Sequence, residues 1–213
     1  MLLIRHETRG QYPGENEEQV PLNCLTKAAR GRAHYSGRRL AELGYHIDVA
    51  FSSPQFRAIE TLQGNLAGNR PDKGPIPLTG VNEAFGDALL GAFPFSPEQI
   101  TAMKAEAATQ GIPAEQLILT DSRFAATIAD RGDEGADQLI AILHEHTGRT
   151  IAIASHGGSR IEPIIDSLTH RPEGAAIQIV PPGGTVVLKF DDLTVNSVEY
   201  LGNLGFVPAG VSP

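Results

Sequence analysis

Two histidines and two arginines stand where strands should end. Leu2-Leu3-Ile4 is an apolar run suited to a strand buried on both faces, and Arg5 and His6 follow it directly. Ile151-Ala152-Ile153-Ala154 reads as a second such strand, here a central parallel one, and leads into Ser155-His156-Gly157-Gly158-Ser159. Between them, His46 to Phe51 reads as a short strand, and Ser52-Ser53-Pro54 as the start of a helix whose first turn holds Arg57. Parallel strands joined by right-handed helical crossovers bring their carboxyl ends to one sheet edge, where open α/β folds place ligand crevices. A pocket holding the imidazoles of His6 and His156 and the guanidiniums of Arg5 and Arg57 is therefore expected.

Guanidinium forks match phosphate oxygens, and Gly157-Gly158 lets loop backbone approach a ligand, so a phosphate is the expected occupant. One imidazole, kept neutral by the nearby guanidinium charge, can attack phosphorus in line, while the other donates to the phosphoryl oxygens. The leaving alkoxide then needs a proton. Glu83, in the Gly-containing stretch from Val81 to Gly91, is the expected donor, and the charge of a bound phosphate would raise its pKa.

Other chemistries fit less well. His144 and His146, two residues apart on a helix, point about 200° apart and are expected to be exposed rather than chelating. A dication among His6, Glu7 and His156 would be repelled by Arg5 and Arg57. Ser155 and Ser159 do not form a Gly-x-Ser-x-Gly elbow. Cys24, the single cysteine, forms no internal disulfide and reads as a small buried or semi-buried residue.

The elements that must position these groups can be traced along the chain. Thr26 is expected to cap a helix from about residue 27 to 43, with Leu40 and Leu43 on one face and Gly44 as its stop. The helix after Ser53 should reach about Leu66 and bury Ile59, Leu62 and Leu66. Helices are expected from Ser96-Pro97 to Gln110, over 114–130, over 133–146, and from the Gly157-Gly158 loop to Leu168. The region from about 92 to 130 reads as a helical cap, and 9–23 as an irregular loop beside His6. Ile177 to Val180, Thr185 to Phe190 and Thr194 to Tyr200 suggest antiparallel or edge strands around a Pro181-Pro182-Gly183-Gly184 turn, before an irregular tail from Gly202.

The 213 residues suit a single domain over 1–213. Seventeen Lys+Arg against 25 Asp+Glu, a net charge of −8, argue against a general nucleic-acid or anionic-membrane surface, so any anion site must be local. No apolar run approaches the ~20 residues of a membrane span. The short apolar start lacks a basic leader, and a cytoplasmic location is expected. Oligomeric state is not legible.

The ordered segments from residue 2 to 160 resemble the histidine phosphatase superfamily, also called phosphoglycerate mutase-like. Leu3-Ile4-Arg5-His6-Glu7-Thr8 is similar to its Arg-His-Gly-Glu-Thr signature, and Leu25-Thr26 with Gly31 to the segment that follows. Ser52-Ser53-Pro54 with Arg57, Ala58 and Thr61 matches its second signature. Glu83 with Gly86 and Gly91 resembles its acid loop, and Ser155-His156-Gly157-Gly158 its last motif. The resemblance implies a three-layer α/β/α sandwich around a mostly parallel sheet. It implies His6 as the phosphorylated nucleophile, Arg5, Arg57 and His156 on the phosphoryl group, Glu83 as proton donor, and neither metal nor cofactor. Two departures stand out. Glu7 replaces the glycine after the nucleophile and is expected to crowd or discharge the pocket, and an expected asparagine is absent, leaving Thr8, Arg9 or Gln11 to substitute.

The leading expectation is a phosphomonoesterase for a small phosphorylated substrate, working through a phosphohistidine on His6. The resemblance also admits a mutase, although mutases of the family tend to carry a longer insertion and tail. A phosphate-binding regulatory module without turnover is the remaining alternative.

Overall fold

The computed structural model describes residues 1–7, 24–70, 72, 74, 76–86, 97–122, 124–171 and 177–205. Its elements run β1 (Leu2–Arg5), α1 (Lys27–Glu42), β2 (Val49–Ser52), α2 (Phe56–Asn69), β3 (Gly80–Val81), α3 (Pro97–Gln110), α4 (Ala114–Thr120), α5 (Ala125–Glu145), β4 (Ile151–Ser155), α6 (Ile161–Thr169), β5 (Gly184–Asp191) and β6 (Thr194–Asn203). They build one six-stranded sheet in the order β3-β2-β4-β1-β5-β6. The first four strands in that order are parallel, while β5 runs antiparallel to β1 and β6 antiparallel to β5.

Alternation along the strands sorts the core into two layers. Leu2 and Ile4 of β1 pack with Leu40 of α1 and Leu62 and Leu66 of α2. Leu3 packs on the opposite face with Leu139 and Ile142 of α5 and Ile161 and Ile164 of α6. All three β1 residues are fully buried, which requires helices on both faces. The expected α/β/α sandwich follows. Met103, Ala107, Leu117, Ile118, Phe124 and Ile128 form a separate apolar cluster joining α3, α4 and the start of α5, where the cap was expected.

Several boundaries differ from the sequence reading. The helix expected over 114–130 ends at Thr120, and α5 then runs unbroken to Glu145. Gly132, at the expected break, lies inside α5, where a Cβ would come within 2.6 Å of the Pro163 carbonyl oxygen of α6. The glycine thus marks a close helix crossing. Leu43 is the exposed cap of α1 rather than a core residue, and Ile59 is only half-buried. Pro54 precedes α2, which starts at Phe56 and extends to Asn69.

Residues 46–48 are not in β2, because the Ile47 amide donates to Asn69 Oδ1 instead of a ladder partner. Ile177 to Val180 is likewise not a strand: the Val180 amide donates to Glu162 Oε1, and its carbonyl accepts from Arg5. β6 continues past Gly202 to Asn203. His144 is exposed as expected, but His146 is half-buried, its ring 5.8 Å from that of Phe51. Among the described residues, no helix is long and apolar enough to cross a membrane.

Candidate active site

Strand register brings the expected residues together. Ser52 of β2 lies level with Ala154 of β4, and Arg5 of β1 level with Ser155. The ladder continues for one further bond on each side, His6 N–H to Ser155 O at 3.0 Å and Ser53 N–H to Ala154 O at 2.9 Å. The residues leaving the three strands, His6, Ser53 and His156, therefore emerge side by side. The two imidazole centroids lie 4.8 Å apart, with their planes tilted by 56°.

Hydrogen bonds fix what each ring can do. His6 Nδ1 lies 2.7 Å from the Glu7 carbonyl oxygen, which can only accept, so Nδ1 carries the proton and Nε2 keeps its lone pair. His156 Nδ1 faces Arg57 NH2 at 3.4 Å, which can only donate, and Nε2 lies 2.8 Å from Ser53 Oγ. His156 thus bears its proton on Nε2 and donates it to Ser53, whose hydroxyl contacts Gln55 Oε1. Burial lowers the pKa of both rings. For His6 the lowering is large and reinforced by His156, Arg57 and Arg5, while His156 falls to about 3 with help from Arg57, Arg5 and Arg160. Both are neutral at physiological pH, as a nucleophilic imidazole requires.

Arg5 lies along the Gly157 loop, where a Cβ on Gly157 would come within 2.6 Å of its side chain. Its NH1 donates to Val180 O at 2.7 Å and its NH2 to Glu115 Oε1 at 2.6 Å, while Nε is buried without a partner among the described residues. The structure thus joins Arg5, His6, Arg57, His156 and Gly157. Glu83 sits on a 3-10 turn (Glu83–Phe85) just after β3, and Gly86 of that turn approaches Pro54. The Glu83 carboxylate is exposed, with no hydrogen-bond partner among the described residues. Thr8, with Arg9 and Gln11, lies outside the described residues.

Glu7 does not crowd the pocket as expected. Its carboxylate is fully buried, pairs with Arg32 Nε at 3.0 Å and packs against Gly183, while its amide donates to Thr61 Oγ1. The α1 guanidinium pairs with the extra charge, and the Glu7 carbonyl remains on His6.

Four residues around the site were not singled out in the sequence. Ser53 was read only as part of a helix start. Glu162 accepts from Gly158 N–H at 2.6 Å and Val180 N–H at 2.8 Å, tying the glycine loop to the segment that holds Arg5. Arg160 donates from Nε to Gly86 O at 2.7 Å, and Ser155 Oγ donates to Phe85 O at 2.7 Å, so the Glu83 turn is pinned at its end. Two charged residues, Arg160 and Glu162, beside the apolar Ile161, Ile164 and Ile165 were a usable signal for the first two of these interactions. Glu115 carried no signal, because its place depends on how α4 packs against the loop that follows β4.

No protein-family model matches the chain. A 2,3-bisphosphoglycerate-dependent phosphoglycerate mutase of Caulobacter vibrioides is 27% identical over 218 residues, covering 90% of this chain and 89% of that protein. The like-named protein of Caulobacter sp. strain K31 is 26% identical, with 94% of each chain covered. Among solved structures, a mycobacterial glucosyl-3-phosphoglycerate phosphatase superposes with a TM-score of 0.63 at 18% identity, covering 95% of this chain and 98% of that one. Phosphoglycerate mutase from Bacillus anthracis str. Sterne gives a TM-score of 0.58 at 15% identity, covering 95% and 92%. The fold is that of the phosphoglycerate mutase-like histidine phosphatases, and the similarities support the histidine phosphatase superfamily for this chain. The curated relatives are named as mutases, which supports an enzyme of phosphoryl transfer.

Proposed function

We propose that the protein is a phosphomonoesterase that passes a phosphoryl group through His6. The observation that carries this reading is the state of the histidine pair: both rings are buried and neutral, and the Glu7 carbonyl holds His6 with Nε2 unprotonated. In the proposed reaction His6 Nε2 attacks phosphorus, an N–P bond forms, and the ester P–O bond breaks. Arg5 and Arg57 hold the phosphoryl oxygens, and His156 joins them by turning its Nε2–H from Ser53 Oγ to a phosphoryl oxygen, with Thr8 and the Gly157 backbone as further contacts. Glu83 gives its proton to the departing alkoxide, and its turn adjoins the site through Gly86 and Pro54. It then takes a proton from the water that attacks phosphorus and releases phosphate, restoring the imidazole.

Two guanidiniums supply the positive charge that a metal would otherwise bring, so the reaction is read as metal-independent. Turnover of an aryl phosphate that survives EDTA, and falls at least 1,000-fold, on the order of 4 kcal/mol, in His6→Ala, supports the proposal. Undiminished turnover in that variant contradicts it.

A mutase is the second reading, favoured by the curated relatives, which the chain matches over 89% of their length. That match removes chain length as an argument against it. A mutase would return the phosphoryl group to a second hydroxyl. Phosphate release in the absence of an acceptor, unchanged when phosphoglycerates are added, separates the hydrolase from it.

A further inference from the structure

The cap places a carboxylate on the phosphate pocket. Glu115, in the first turn of α4, forms an ion pair with Arg5 NH2 at 2.6 Å. The same residue presses on the glycine loop, where a Cβ on Gly158 would come within 2.5 Å of Glu115 Cβ. α4 therefore seats on the loop that follows β4, with its acid group against the guanidinium at the end of β1.

The geometry points to Glu115 as a specificity-determining residue: a counterion of Arg5 that an incoming phosphoryl group must displace, so that the cap sets how strong an anion must be to enter. This rests on Arg5 being a phosphate ligand, as proposed above. Three features distinguish the role from simple anchoring. Arg5 is already held by Val180 O through NH1, so Glu115 is not needed to aim it. The pair engages a single carboxylate oxygen, whereas a phosphate dianion offers a guanidinium two oxygens at once. Finally, the Arg5 side chain is 8% exposed and that of Glu115 31%, which puts the carboxylate on the solvent side of the pair, where it can withdraw.

The α4 helix has seven residues and buries its apolar side against α3 and the start of α5 rather than against the sheet. Monoanions such as carboxylates compete poorly against an internal carboxylate for one guanidinium. A phosphate dianion, gripped also by Arg57, competes well.

The test is calorimetric titration of inorganic phosphate into the parent, Glu115→Gln and Glu115→Asp proteins, with aryl phosphate kinetics alongside. Removing the internal competitor is expected to tighten phosphate binding about five-fold in Glu115→Gln, the scale of a partly exposed ion pair. KM is expected to fall in proportion while kcat does not rise. Glu115→Asp, which keeps the charge one methylene further back, should lie between, and serves alone if the amide variant does not fold. Binding unchanged or weakened by loss of the carboxylate overturns the proposal while leaving the phosphatase reading intact. Tighter binding in Glu115→Gln, with a parent that turns nothing over, supports the counterion and retires the phosphatase. Failure of all three proteins to bind phosphate overturns both.

Discussion

Glu162→Gln isolates the contribution of one buried side chain to the geometry of the site. Glu162 is 2% exposed and spends both carboxylate oxygens on backbone amides, Gly158 at 2.6 Å and Val180 at 2.8 Å. The glutamine is nearly isosteric but can accept at one end only. Its amide NH2 must face either Gly158 N–H or Val180 N–H, donor against donor. One charge-assisted bond, about 1.5–3 kcal/mol, is lost, and one buried amide is left unsatisfied. The expected destabilisation is about 2–3 kcal/mol, a fall in Tm of roughly 4–12 °C for a chain of this size.

The consequence should reach chemistry, because the Val180 carbonyl accepts from Arg5 NH1 and the Gly158 amide lies in the loop after His156. Urea unfolding measures the stability change, and hydrogen exchange at Gly158 and Val180 shows which amide has lost its acceptor. A loss below about 0.5 kcal/mol with both amides still protected would refute the reasoning.

The remaining predictions concern pH, backbone and the buried ion pair. Because the His156 pKa is lowered to about 3, the unfolded chain takes up a proton near pH 6.5 that the native state resists. Stability is therefore full above about pH 6.5 and declines toward pH 3, this ring contributing about 1.4 kcal/mol per pH unit within that window. His156→Asn should flatten the slope by about one proton in urea melts between pH 6 and 4, and parallel slopes would refute it. Gly158→Ala places a side chain at φ +74° and against Glu115, and should cost about 1–3 kcal/mol by thermal unfolding. Arg32→Met removes the guanidinium paired with the buried Glu7 and should cost about 3–5 kcal/mol, with Glu7→Gln in the same chain recovering part of it in denaturant melts.

What was legible in the sequence was local and repeated. The apolar runs at Leu2 and Ile151 and the Thr26 cap each draw on a few adjacent residues, and topology alone then aligns His6 with His156. The misplaced boundaries came from long-range contacts. Gly132 reads as a break until the backbone of α6 is set against it, and Ile177 to Val180 reads as a strand until Glu162 and Arg5 take the hydrogen bonds of Val180. Glu7 shows the same limit. Whether its charge spoils the pocket depends on Arg32, a residue 25 positions away that nothing near His6 announces.

The central claim is that His6 carries the phosphoryl group, and trapping the phosphoenzyme tests it most directly. Protein mixed with an aryl phosphate, quenched at alkaline pH within milliseconds and digested, should yield a phosphopeptide that contains His6, loses its phosphate in acid, and is absent from His6→Ala. Turnover with no acid-labile phosphopeptide, or with the label on another residue, would contradict the account.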